Sequence, residues 1–239
     1  LICYSQNNFS MSFDGNSSIE ISDINSSLDE ISNAVTFEAD VYVTQIPNGA
    51  HARIIHRSEG VGGVPNRYGL SITPLLEGNG TVELWIENIG VAYSDYALNL
   101  YQWYHVSAVY NGSEIKIYID GILAGTGSAS GDIEVDGGIG NWPFWIGSAN
   151  GSSYFTGNID NVKVWNQALS DEDVLNYFIC PPTEDEDGLI AFWNFEEGPG
   201  NVVLDVTENE NNGTINGTIY SSEIPQNQQC SQGCTDSTA

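Results

Sequence analysis

Positive charge is what this sequence has least of. Five Lys and Arg stand against 32 Asp and Glu, a formal net charge of −27 over 239 residues. Such a surface repels nucleic-acid phosphates and anionic membranes, which argues against both as partners. It suits divalent cations, whose hard charge takes carboxylate oxygens, or it serves solubility alone. No apolar run approaches the ~20 residues that span a bilayer. The start shows no basic, apolar, small-residue leader, so the sequence is expected to begin after any signal peptide. Cysteine is also scarce: Cys3, Cys180, Cys230 and Cys234 show no paired CxxC spacing of a zinc site. Disulfides in an oxidising compartment are the expected use, which places the chain outside the cell, secreted or at the cell surface.

Motifs of catalysis are missing too. There is no Gly-x-Ser-x-Gly elbow, no His-Glu-x-x-His helix and no EF-hand loop. What remains is ordinary in apolar content, at 41% hydrophobic residues, enough to build a core.

Short strand signals recur along the chain, separated by Gly, Asn, Asp and Ser. They fall at Ser10–Phe13, Val35–Val43, Arg53–His56, Tyr68–Ile72, Val82–Ile86, Tyr104–Tyr110, Lys116–Ile119, Phe144–Ile146 and Val162–Trp165. Val82, Leu84 and Ile86 face one way, while Glu83, Trp85 and Glu87 face the other. This period of two, with turns every 8–12 residues, predicts an all-β fold: a two-sheet antiparallel β-sandwich or jelly roll. Asn111-Gly112 and Asp120-Gly121 bracket one strand as hairpin turns. One short helix is predicted, capped by Ser170 with Asp171, Glu172 and Asp173 at its positive end. Val174, Leu175 and Phe178 give it an apolar face. After Pro181-Pro182, the runs Leu189–Phe195 and Thr214–Tyr220 are too short for a core of their own and are expected to complete the sandwich. That puts one domain at 1–225, with 188–225 as its completing segment, and a linker at 226–239.

Several segments resemble the laminin G-like / concanavalin A-like lectin superfamily. They are Ser12-Phe13-Asp14-Gly15-Asn16, Trp103-Tyr104-His105-Val106, Tyr110-Asn111-Gly112, Ile117-Tyr118-Ile119-Asp120-Gly121 and Trp145-Ile146-Gly147-Ser148. Gly157-Asn158-Ile159-Asp160-Asn161-Val162-Lys163-Val164-Trp165, followed by Ala168-Leu169-Ser170-Asp171-Glu172, carries the resemblance furthest. Gly233-Cys234-Thr235-Asp236 looks like the start of a cysteine-bearing repeat of large secreted proteins of marine Bacteroidetes. The resemblance implies a recognition module joined to other domains of a longer parent chain. Its glycanase relatives use a Glu-x-Asp-x-x-Glu strand, and no such stretch occurs here. A lyase could draw on His51, Arg53 and Arg57, but so acidic a chain repels acidic polysaccharide.

The reading is therefore a non-enzymatic, calcium-stabilised module that binds a glycan or cell-surface partner, within an adhesin or polysaccharide-degrading protein. A protein-binding or structural spacer domain with calcium as its only ligand is the alternative. Calcium, as the resemblance implies, falls to Asp14, Asn16 and Asp160; the bland use of both acids is to fix turns. Asp132, Glu134 and Asp136 form a possible second site. Ligand binding is assigned to Trp85 with Glu83 and Glu87, to Trp142 in a loop, and to Tyr93 and Tyr96 in another loop. Trp103, Trp165 and Trp193 are expected in the core, and His105 at a core position. Four cysteines allow three pairings. Cys180 follows the helix and Cys230 the returning strands, so their bridge would close a long loop and contribute roughly 4 kcal/mol by chain entropy. Non-reducing peptide mapping is expected to return Cys180 joined to Cys230; Cys180 free or joined to Cys3 overturns the pairing.

Overall fold

The computed structural model describes residues 8–22, 27–46, 49–57, 68–74, 80–133 and 142–225. The alternating segments become β1 (Ser10–Asp14), β2 (Ser18–Ile21), β3 (Val35–Val43), β4 (Ala52–Arg57), β5 (Tyr68–Pro74) and β6 (Gly80–Ile86). Next come β7 (Gly90–Leu98), β8 (Trp103–Tyr110), β9 (Glu114–Ile119), β10 (Ile122–Ser128), β11 (Phe144–Ile146) and β12 (Thr156–Trp165). Helix α1 (Asp171–Ile179) precedes β13 (Leu189–Trp193), β14 (Val202–Val203), β15 (Gly213–Asn216) and β16 (Ile219–Ser221). Sheet I runs β10-β9-β8-β3-β12-β1-β16, with β13 also on β12; sheet II runs β14-β15-β2-β11-β4-β5-β6-β7. All strand pairs are antiparallel, and the two sheets make the predicted sandwich.

Inward positions of both sheets form the core. Phe37, Val41, Val106, Tyr110, Ile117 and Ile159 come from sheet I; Ile55, Leu70, Leu84, Ile86, Phe144 and Ile146 come from sheet II. Each such side chain contributes about 1.5–3 kcal/mol by leaving water. The hairpin turn is formed as its residues require: Asp120 and Gly121 both have positive φ, 52° and 73°. At one edge the sheets close on each other. A Cβ on Gly125 of β10 would lie 2.0 Å from the Tyr93 carbonyl of β7, so only glycine permits this approach.

The C-terminal strands join both sheets, β13 on β12, β15 on β2 and β16 on β1. Buried Asp205 organises the segment. Its Oδ1 accepts from Phe192 N, Thr207 N and Thr207 Oγ1 at 2.9, 3.0 and 2.9 Å, and its Oδ2 from Asn211 N and Nδ2 at 3.0 and 2.8 Å.

The outer face of sheet I carries a second buried layer beneath α1. Ser170 caps the helix in a full capping box with Asp173, and Val174 is its buried residue. Leu175, expected on the apolar face, is 42% exposed, because a nine-residue helix presents only one turn squarely to the sheet. Trp165 stacks on Tyr177 at 4.9 Å, and His105 meets Phe178 at 5.7 Å. Under them Glu38, 0% exposed, accepts from Trp165 Nε1 at 3.0 Å and Ser107 Oγ at 3.3 Å. Lys163 Nζ stands 4.0 Å from Glu38 and His105 Nε2 3.4 Å. His105 Nδ1 meets Asp40 at 2.7 Å. A bulge at Asn161 shifts the register between Asp160 and Lys163, which turns Lys163 and Trp165 onto this face.

Two expectations change here. Trp103 is half-buried on the outer face, its ring tilted against Tyr42 at 5.6 Å, because its strand position alternates with core Tyr104. His105 is buried, as expected, but among charges and not in the apolar core. Cys180 caps α1 at its C-terminus, while Cys3, Cys230 and Cys234 lie outside the described residues, so the Cys180–Cys230 pairing does too.

Burial alone would neutralise His105, but Asp40 and Glu38 outweigh it and hold the imidazolium to about 9 against an ordinary 6.5. Burial would likewise raise Glu38, but Lys163 and His105 lower it to about 2 from 4.5. The His105 contribution to stability is thus full below pH 6.5 and lost as pH rises through about 9; the Glu38 contribution is full above pH 4.5 and lost as pH falls toward 2. Melting temperature is expected to plateau between these limits and fall by several degrees beyond each. His105→Gln should cost about 3–5 kcal/mol and flatten the alkaline limb; a wild-type melting profile level through pH 10 refutes the assignment.

Candidate functional site

Helix α1 covers the part of sheet I's outer face that holds Trp165 and His105, and the outward face of sheet II carries no such helix among the described residues. Alternation puts Arg53, His56, Gly69, Ser71, Glu83, Trp85, Tyr93 and Trp145 there, opposite core Ile55, Leu70, Leu84, Ala92 and Phe144. Two rows cross the strands. In one, Trp145 pairs with His56, His56 with Gly69, and Gly69 with Trp85. In the other, Arg53 pairs with Ser71, Ser71 with Glu83, and Glu83 with Tyr93. Trp145 and Trp85 stand three strand spacings apart, roughly 14 Å.

Gly69 shapes the floor. A Cβ there would lie 2.8 Å from Arg53 Nη1 and 3.1 Å from His56 Nδ1, so the missing side chain lets both groups lie down on the sheet. Glu83 is 3% exposed and accepts from Ser71 Oγ at 3.1 Å. His51 Nδ1 is 3.1 Å and Arg53 Nη1 3.7 Å from the same oxygen. Arg53 Nη1 also donates to Ser71 Oγ at 3.2 Å. Burial lowers the Arg53 pKa, and Glu83 opposes that. Tyr93 is raised by burial, then by the charge of Glu83 and a hydrogen bond to it. Two buried donors of this face, Arg53 Nε and Trp145 Nε1, have no hydrogen-bond partner among the described residues. A buried donor without a partner costs roughly 1–3 kcal/mol, which an oxygen-bearing ligand would recover.

The predicted ligand residues divide. Glu83 and Trp85 share the face with Tyr93, and Trp85 is half-buried there. Glu87 lies four residues on from Glu83, about 13 Å along the strand direction, in the turn to β7. Tyr93 and Tyr96 belong to a strand, not a loop, since β7 pairs with β6 despite its Ser and Asp. Tyr96 leaves the group: a register shift in β7 turns it toward Asp120 and Tyr104, whose charges raise its pKa after burial. Trp142 is 7% exposed and so no open platform. Trp145, His56 and Ser71 were not singled out. The only signal for Trp145 was its alternation with Phe144 and Ile146. Arg57, considered with Arg53 for lyase chemistry, is taken up elsewhere: it donates to Leu28 O at 2.7 Å and pairs with Asp29.

The calcium set does not converge. Asp14 pairs with Thr156 across β1 and β12, four residues from Asp160, about 13 Å along the strand. One calcium with ligands at about 2.3–2.6 Å cannot take both carboxylates. Asp14 accepts from Asn16 N at 2.9 Å, which with the Ser17 bond lowers its pKa, while buried Asp160 accepts from Asn161 N at 2.8 Å; both fix turns. Of the second set, Asp132 is exposed and Glu134 and Asp136 lie outside the described residues.

Residues 13–175 match the family described as the concanavalin A-like lectin/glucanases superfamily. No curated protein sequence matches the chain. Among solved structures, a candidate carbohydrate-binding protein from Bacteroides ovatus ATCC 8483 superposes with a TM-score of 0.71 at 20% identity, over 94% of this chain and 63% of that one. This chain thus spans less than two thirds of that protein. The heptameric SAP-like pentraxin of Limulus polyphemus gives 0.59 at 15% identity, over 90% and 95%. The CBM40 of Ruminococcus gnavus IT-sialidase, bound to α2,3-sialyllactose, gives 0.55 at 14% identity, over 71% and 96%. At these identities the likeness is one of fold.

Truncating the two tryptophans should separate their roles. Trp142→Ala is expected to cost about 3–5 kcal/mol, as for a core aromatic, and Trp85→Ala less than about 1.5 kcal/mol. Chemical denaturation of both variants checks this; equal losses would mean that Trp85 is structural.

Proposed function

This chain belongs to the concanavalin A-like lectin/glucanases superfamily, and from that premise we propose that it is a non-catalytic carbohydrate-binding module of an exported, multidomain protein. The outer face of sheet II is the binding surface. What carries the reading is the juxtaposition of half-buried Trp85 and exposed Tyr93 with a buried, hydrogen-bonding cluster of Arg53, Ser71 and Glu83. Sugar rings present apolar C–H faces that stack on indole and phenol, and hydroxyls that both give and take hydrogen bonds. Glu83 accepts a hydrogen bond from a sugar hydroxyl; Arg53 Nε and Trp145 Nε1 donate to sugar oxygens.

The same face is poorly built for hydrolysis. Glycosidases place two carboxyls about 5–9.5 Å apart on either side of the bond they cut, whereas here Glu83 is buried and held by Ser71, and Glu87 lies past the end of β6 in the turn to β7. Calcium takes no part in this reading. A structural spacer would need no such donors, since partnerless buried groups only cost stability. The fold neighbours support the reading without deciding it, because one fold hosts many functions.

An array of neutral and acidic glycans, followed by calorimetry, tests the proposal. Binding is expected, and Trp85→Ala should weaken it at least tenfold with the fold intact. A blank array refutes glycan recognition, and release of reducing sugar from a bound polysaccharide refutes the non-catalytic half.

A further inference from the structure

Positive charge is scarce here, and four of the five Lys and Arg lie among the described residues. Among the described residues Arg57 sits on Asp29, Lys116 on Asp171 and Lys163 on Glu38. Arg53 is, among the described residues, the one Lys or Arg of the sheet II outer face, and it sits on Glu83. That pair is looser than the first two: Nη1 is 3.7 Å from the carboxylate and donates to Ser71, while Nε is left without a partner among the described residues. Arg53 by itself would be an anchor for an acidic sugar, since guanidinium and carboxylate make strong paired hydrogen bonds. Glu83 changes that. It is 3% exposed, fixed by Ser71, and cannot swing away into water.

We propose that Glu83 makes this face selective for uncharged sugars, by holding Arg53 in a neutral pair that an anionic ligand cannot enter without facing the Glu83 carboxylate. The inference rests on the carbohydrate reading above and names the ligand class within it. Glu83 Oε1 stands 3.7 Å from Arg53 Nη1, so a ligand oxygen that reaches the guanidinium on that side also meets the carboxylate. A hydroxyl fits there, because it accepts from the guanidinium and donates to the carboxylate at once. A uronate, sialate or sulfate oxygen accepts only, and brings a like charge into a site shielded from solvent. Trp145 Nε1, the second partnerless donor, takes any oxygen acceptor and does not favour charge. The chain's formal charge of −27 adds a longer-range repulsion. Salt screens that beyond about 10 Å at 0.1 M, so at working ionic strength the local carboxylate decides. Selection here works by an element that repels the wrong ligand.

Calorimetry with paired oligosaccharides tests this, using neutral gluco-, xylo- and manno-oligosaccharides beside uronic-acid and sulfated ones, at 0.05 and 0.5 M salt. The intact chain is expected to bind a neutral member at least tenfold more tightly than any acidic one at both salt concentrations. Glu83→Gln, which keeps the shape and removes the charge, should raise affinity for acidic members at least tenfold. Arg53→Gln should leave acidic sugars excluded, since the repelling group remains; it keeps the test decisive should Glu83→Gln fold poorly. Acidic sugars binding the intact chain as well as neutral ones overturn the inference while the carbohydrate reading stands. So does a preference that vanishes at 0.5 M salt, which would assign it to overall charge. An intact chain that binds no glycan at all removes both.

Discussion

A carboxylate with no access to water governs how this sandwich is finished. Glu38 lies in the middle of sheet I, and an isolated ion there would cost far more than a folded domain has to spare. Its position therefore demands Lys163, His105, Trp165 Nε1 and Ser107 around it. Those groups come from β12 and β8, the two strands flanking β3. The bulge at Asn161 is what turns Lys163 and Trp165 to meet it. Helix α1 then covers the layer, with Tyr177 and Phe178 lying on Trp165 and His105. Charge pairing, strand register and helix docking are one constraint seen at three levels. A buried pair of this kind is weak evidence for stability in itself but strongly penalises any arrangement that separates its members.

The two outer faces use polar residues in opposite ways. On sheet I the buried charges find partners within the chain, and the helix seals them. On sheet II two donors are without partners among the described residues: Arg53 Nε beside Glu83, and Trp145 Nε1 in the neighbouring row. Such groups are completed by ordered water, an ion or a ligand. Gly69 serves the same end, since its missing Cβ gives the Arg53 and His56 side chains their place on the floor. The acidity of the chain fits this division: among the described residues its few Lys and Arg are committed in ion pairs.

Much of the fold was legible in the sequence. Val35–Val43 and Phe144–Ile146 are strands with the bounds their alternation suggests, and Ser170 caps the helix as its side-chain oxygen allows. β7 was not legible, because Ser94, Asp95 and Gly90 weaken a strand signal that pairing with β6 restores. Trp103 illustrates the opposite error: residence in an apolar strand says nothing about which side of it a side chain leaves. Asp14 and Asp160 sit on neighbouring strands, yet the pairing of Asp14 with Thr156 slides them apart, and no local pattern states that register.

The sequence alone determined the period-two alternation, the Asp120-Gly121 turn, the helix cap and the choice of Trp85 and Glu83 as outward residues. Each is settled by neighbours a few positions away, through strand geometry, positive φ or a capping hydroxyl. The tertiary structure decided which outward face a helix covers and which it leaves open. It brought Trp145, His56, Gly69 and Trp85 into one row, from strands far apart along the chain. It also buried Trp142 and turned Tyr96 away. Alternation assigns a side chain to one of two faces; only the pairing of distant strands fixes what lies beside it on that face.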